Sequence, residues 1–65
     1  MKVIINRQEH ELAAGATVAD AVAAIGATPP FAAAVNTQFV PRTRYAQHPL
    51  KEGDRVEIIS PVTGG

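Results

Sequence analysis

The run Val56-Glu57-Ile58-Ile59-Ser60 is rich in β-branched residues and bounded by the turn signal Lys51-Glu52-Gly53-Asp54 before it and Pro61 after it, so it reads as a buried strand. Any fold of this chain must place that strand inside and stop it at Pro61, which has no N–H to continue a central ladder. Residues 1–60 are therefore expected to form the domain, and 61–65, Pro61-Val62-Thr63-Gly64-Gly65, an arm beyond it. Gly64 and Gly65 have no side chains to pack, so the arm is expected to be mobile. At ~3.3–3.6 Å per extended residue, an arm of this length reaches ~16–18 Å, far enough to enter another protein's active site. The carboxylate of Gly65 is the candidate reacting group. The glycine pair carries little weight alone: with Gly at ~7% of residues, it closes about 1 chain in 200 by chance.

A chain of 65 residues allows one domain, and a core of this size supplies only ~3–5 kcal/mol of net stability. There is no cysteine, which excludes a disulfide framework, a thiolate metal site and a cysteine nucleophile. Six basic residues balance six acidic ones, so bulk charge offers no reason to expect nucleic acid or an anionic membrane as partner. No stretch is long and apolar enough to span a bilayer, and Met1-Lys2-Val3-Ile4-Ile5 meets Asn6 and Arg7 too soon for a signal peptide. A soluble cytoplasmic protein is the expectation. His10 and His48, the only histidines, lie far apart in sequence, and no metal is assigned to them. Arg42 and Arg44 with Tyr45 read as a solvated loop rather than as a phosphate-binding patch.

In chain order, Lys2 to Asn6 reads as a first strand with Val3 and Ile5 on one face and Ile4 on the other. Asn6-Arg7-Gln8 is a tight connection to a second strand at Glu9 to Leu12. Thr17 then precedes Val18, Ala21, Val22 and Ile25, whose spacing predicts a helix over about Val18 to Ile25. Thr17 is its cap, Asp20 the return partner at the positive dipole end, and Gly26 its stop. Phe31 to Val35 and Phe39-Val40 read as short strands around a turn at Asn36-Thr37-Gln38. Arg42 to Leu50 shows no clean period and is expected to cross irregularly, with one helical turn. The expected core is Val18, Val22 and Ile25 over Val3, Ile5, Leu12, Val35, Val56 and Ile58. Ile4, Phe39, Val40 and Ile59 do not fit a single covered face. They either form an exposed apolar patch for docking a partner or pack against one another and the irregular segment. The order of elements gives an α+β sheet with one face covered.

Three ordered blocks, Val35-Asn36-Thr37-Gln38-Phe39-Val40-Pro41-Arg42, Leu50-Lys51-Glu52-Gly53-Asp54-Arg55-Val56-Glu57-Ile58 and the closing Gly64-Gly65, together resemble the ThiS family of sulfur carriers of thiamine biosynthesis. The resemblance implies a β-grasp, ubiquitin-like fold: a mixed sheet of four to five strands around one helix, with the last strand lying centrally beside the first. It departs from the family at Asn36-Thr37, where Asn-Gly is frequent, and β-branched Thr resists the positive φ of a type I′ turn. The resemblance implies that a ThiF-like adenylyltransferase, consuming ATP, activates Gly65, and that a persulfide, such as that of a cysteine desulfurase, converts it to a thiocarboxylate. A ThiG-like thiazole synthase then takes the sulfur. Gly64 and Thr63 would be recognised in the partner's channel, and the chain, with no bound cofactor, would be a co-substrate and not an enzyme. Two rivals use similar folds: the small subunit of molybdopterin synthase, whose chain is usually longer, and a ubiquitin-like binding module in which the tail is idle. Deleting Gly65 separates the carrier from the module.

Overall fold

The computed structural model describes residues 1–60. The elements are β1 (Lys2–Ile5), β2 (Gln8–Glu11), α1 (Val18–Ala24), β3 (Ala32–Val35), β4 (Gln38–Val40), a 3-10 helix (Arg42–Gln47) and β5 (Arg55–Ile59). The strands form one five-stranded sheet in the order β2-β1-β5-β3-β4. β1 and β5 run parallel, while β1–β2, β3–β4 and β3–β5 are antiparallel. This is the β-grasp arrangement, with the strand latest in the sequence among those described lying at the centre of the sheet.

Both hairpins close through two-residue turns, Asn6-Arg7 and Asn36-Thr37, with φ of 50° and 71° in the first and 50° and 72° in the second. Positive φ at both central residues is what a type I′ connection requires to match the twist of its strands. Thr37 therefore adopts the conformation that its β-branch disfavours. Strand pairing on both sides over-determines the turn, so the local cost, about 1–3 kcal/mol, is borne by the surrounding structure.

α1 begins at Thr17, whose backbone N–H and hydroxyl donate to the Asp20 carboxylate at 2.8 and 3.2 Å. It ends in a Schellman motif: Gly26, at φ 65°, donates to the Ala23 carbonyl at 3.1 Å, and Ala27 donates to Val22 at 3.2 Å. The core joins Val3, Ile5, Ala33, Val35, Val40, Val56 and Ile58 of the sheet to Val18 and Ala21 of the helix, with Leu50 beside them. Val22, Ile25 and Leu12, expected in the core, are partly buried and pack against it, while Ala21 is fully buried beside Val18. The crossing segment is tied to the helix start: Val18 N–H donates to the His48 carbonyl at 3.0 Å, and Leu50 N–H to Ala16 at 2.8 Å. Tyr45 of the 3-10 helix stacks on Phe31, with ring centroids 5.7 Å apart, and packs against the core, which leaves Arg42 and Arg44 exposed without an aromatic partner for a binding patch.

Val40 corrects the expected exposed patch. It is only 3% accessible because it pairs with Ala33 and so points to the helix-covered face. The pleat directs it inward, where Leu50 and Tyr45 of the irregular segment share the core with it, as the alternative of packing with that segment expects.

Candidate functional site

The strand that leads towards residues 61–65 is the central one of the sheet. Along β5, Val56 and Ile58 point into the core while Arg55, Glu57 and Ile59 point to the uncovered face. Ile59 pairs with Ala32, and Ser60 is the last residue described. Thr63, Gly64 and Gly65, as well as the expected mobility of the arm, lie outside the described residues.

Two asparagines hold β5 from its two sides. On the β3 side, the Asn36 Oδ1 accepts from Arg55 N–H at 3.0 Å, and its amide nitrogen donates to the Asp54 carboxylate at 3.0 Å. That carboxylate also accepts from Lys51 N–H at 2.8 Å, which fixes the turn leading into β5. On the β1 side, Asn6 Oδ1 accepts from Ile58 N–H at 2.8 Å and its Nδ2 donates to the Ile58 carbonyl at 3.2 Å. The sequence reading did not assign these residues. Their signal is a short echo, Ile5-Asn6-Arg7-Gln8 and Val35-Asn36-Thr37-Gln38, with Asn at the first turn position in both. Asn serves twice there, because it tolerates positive φ and brings a donor and an acceptor.

On the uncovered face, Phe39 is 68% and Ile59 59% accessible, the two large exposed apolar residues among those described. Ala32 faces Ile59 and Ala34 faces Phe39 across the ladder. The two alanines, both half-buried, thus form a low apolar floor between the larger side chains. Ile4 is not part of this strip. It lies in a separate groove between the two hairpin turns, together with Asn6, Arg7, Asn36, Arg55 and Glu57. Of the four expected patch residues, the structure therefore brings Phe39 and Ile59 to one strip, sets Ile4 apart among charged neighbours and buries Val40.

His10 sits opposite Val3 in the β1–β2 ladder, and its Nε2 is buried without a hydrogen-bond partner. Among the described residues no three His, Cys, Asp or Glu side chains gather where a metal could be held. No helix of the described residues is long and apolar enough to cross a membrane.

Residues 3–65 match the profile of the ThiS family. The Sulfur carrier protein ThiS of Escherichia coli (strain K12) is 35% identical over 66 residues, covering all of both chains. The chain belongs to the ThiS family. A Thiazole synthase of Paramagnetospirillum magneticum (strain ATCC 700264 / AMB-1) is 33% identical over 66 residues, and this ThiS-family chain spans only 20% of that longer protein. The crystal structure of the thiamine biosynthesis protein ThiS from Geobacter metallireducens superposes over the full length of both chains with a TM-score of 0.80 at 20% identity, and at that identity speaks for the fold.

Proposed function

We propose that this ThiS-family protein carries sulfur for thiazole formation in thiamine biosynthesis on the carboxylate of Gly65. The full-length match to a sulfur carrier, ending in Gly64-Gly65 beyond the central strand, is the observation that supports this reading. A carboxylate is a poor acylating group until one oxygen is made a leaving group, so activation requires ATP and a partner's active site. In the adenylyltransferase, the Gly65 carboxylate attacks the α-phosphorus and pyrophosphate leaves. The terminal sulfur of a donor persulfide then displaces AMP, and a thiol cleaves the remaining S–S bond to leave the thiocarboxylate. The chain supplies no catalytic base and acts as co-substrate.

Gly64 and Thr63 are the residues the partner channel would grip, with Gly64 free to take backbone angles closed to other residues. The strip of Phe39, Ile59 and the intervening alanines is the docking surface we assign to the adenylyltransferase, since Ile59, at one end of it, lies on the strand that leads to the arm. A thiazole synthase is the proposed acceptor, in keeping with the relative in which a ThiS-like stretch forms part of a thiazole synthase.

The test is intact-mass analysis after incubation with the adenylyltransferase, ATP and a persulfide donor. The mass should rise by the difference between sulfur and oxygen, with C-terminal fragments placing the change on Gly65. Gly64→Ala should leave the fold intact and lower ATP–pyrophosphate exchange, and deletion of Gly65 should abolish sulfur transfer. If a demonstrably active partner set never yields the heavier species, the carrier reading fails.

A further inference from the structure

We infer that Asn6 is a positioning residue for the arm: its side-chain amide replaces a missing peptide of β1 and fixes Ile58, in the last stretch of strand before residues 61–65. This rests on the carrier reading, but the evidence for it is geometric. In a parallel ladder, alternate residues of one strand bond to the same neighbour. Here Ile4 N–H donates to the Asp54 carbonyl at 2.9 Å and Asn6 N–H to the Val56 carbonyl at 3.0 Å. The next rung would need a carbonyl for Ile58 N–H and an N–H for the Ile58 carbonyl. The β1 backbone cannot supply them, because the chain has already turned away at Asn6-Arg7. The Asn6 amide fills both positions, with its oxygen 2.8 Å from Ile58 N and its nitrogen 3.2 Å from Ile58 O. A side-chain amide carries the same donor and acceptor as a peptide group, so the ladder gains one rung without another strand residue.

Asn36 provides an internal comparison. It makes a similar bond to β5, but at Arg55, where the strand begins. Loss of Asn36 should loosen the entry to β5, whereas loss of Asn6 leaves both polar backbone groups of Ile58 without a partner just before the arm. Ile59 would still pair with Ala32 on the other side, so the strand would stay in the sheet while its final segment gained freedom. That freedom must be lost again when the arm enters a partner's channel, and the loss appears in binding rather than in the chemical step.

Glycine separates turn geometry from the amide, since it accepts positive φ and carries no side chain. Asn6→Gly and Asn36→Gly should both lower stability. With the adenylyltransferase and ATP, and the carrier concentration varied, Asn6→Gly should raise the KM for ATP–pyrophosphate exchange by about five- to tenfold at nearly unchanged kcat, after correction for the folded fraction. Asn36→Gly should leave KM within about twofold of wild type on the same scale. Amide exchange should show Ile58 losing protection in the first variant and Arg55 in the second. If Asn6→Gly does not fold, Asn6→Asp, which keeps the acceptor and loses the donor, should give an intermediate KM. Equal KM values for the two glycine variants, or an unchanged KM for Asn6→Asp, would overturn the assignment of Asn6. A wild-type protein that supports no exchange would instead sink the carrier reading itself.

Discussion

The two hairpins flank the same strand and use similar turns, yet they meet different demands. The β1–β2 hairpin sends Val3 and Ile5 into the core, both at most 1% accessible, and lies parallel to β5. The β3–β4 hairpin contributes Ala33, Val35 and Val40 inward, lies antiparallel to β5, and presents Phe39 on the uncovered face. One hairpin thus carries the larger Ile5 beneath the helix, while the other sets Ala33 beside two valines there and forms most of the exposed apolar strip. The difference teaches that folding load and exposed apolar surface can be divided between two elements of nearly equal length.

Core truncation should break the comparison most sharply. Ile5→Ala should cost about 2–4 kcal/mol, which approaches the whole stability of ~3–5 kcal/mol for a domain of this size, so much of the protein should be unfolded. Val35→Ala, in the other hairpin, removes fewer methyl groups and should cost roughly 1–3 kcal/mol. Urea denaturation of the two variants measures this, and equal losses would mean that the hairpins share the core evenly.

The turns should separate next. Thr37 and Arg7 hold nearly the same positive φ, 72° and 71°, but only Thr is branched at Cβ. Thr37→Gly should therefore stabilise by up to about 1 kcal/mol, and Arg7→Gly by less, since each also gains unfolded-state entropy. A shift in thermal midpoint that is larger for Arg7→Gly would contradict the role given to the β-branch.

The smallest expected effect is acidic. The N-terminal ammonium donates to Glu11, and chiefly through that hydrogen bond, then through its charge, holds the Glu11 carboxyl below its usual value. A depressed folded-state value means that the pair supports the fold above the unfolded carboxylate's pKa and that this support is lost as pH falls through the lowered folded value. Among the described residues no ion pair joins β3 to β4. Acidification should thus loosen the Leu12 N–H to Met1 carbonyl bond before the β3–β4 ladder, as followed by amide exchange. The Glu11 side chain is exposed, so the effect should be slight and should fade in salt.

Much of this architecture was legible in the residues. The β-branched runs marked β1 and β5, and Thr17, Asp20 and Gly26 marked both ends of α1, because caps and stops are local chemistry. Val40 was misplaced because β4, at three residues, is too short for its alternation to declare a face. Ala21 falls on the helical face that the spacing predicts, whereas Leu50 is absent from the expected core because an isolated apolar residue acquires importance only when a neighbouring segment is brought against it. The asparagines were legible as turn residues, but their bonds to Arg55 and Ile58 depend on a strand distant in sequence. For the site, the residues leave open whether Ile4, Phe39, Val40 and Ile59 form an exposed patch or pack together, and the pairing register decides which of them share a surface.

The place of β5 also governs when this protein can become folded at all. Each hairpin on its own is marginal in water, and the two have no common edge until β5 lies between them. Ile4 must wait for Arg55, and Asn6 for Ile58, before the sheet is continuous. Contacts so distant in sequence delay closure and make it cooperative. A nascent chain interrupted before Ile58 would therefore consist of two loose halves, exposed to proteolysis, so that a molecule which has acquired its fold has also been synthesised almost to the glycines.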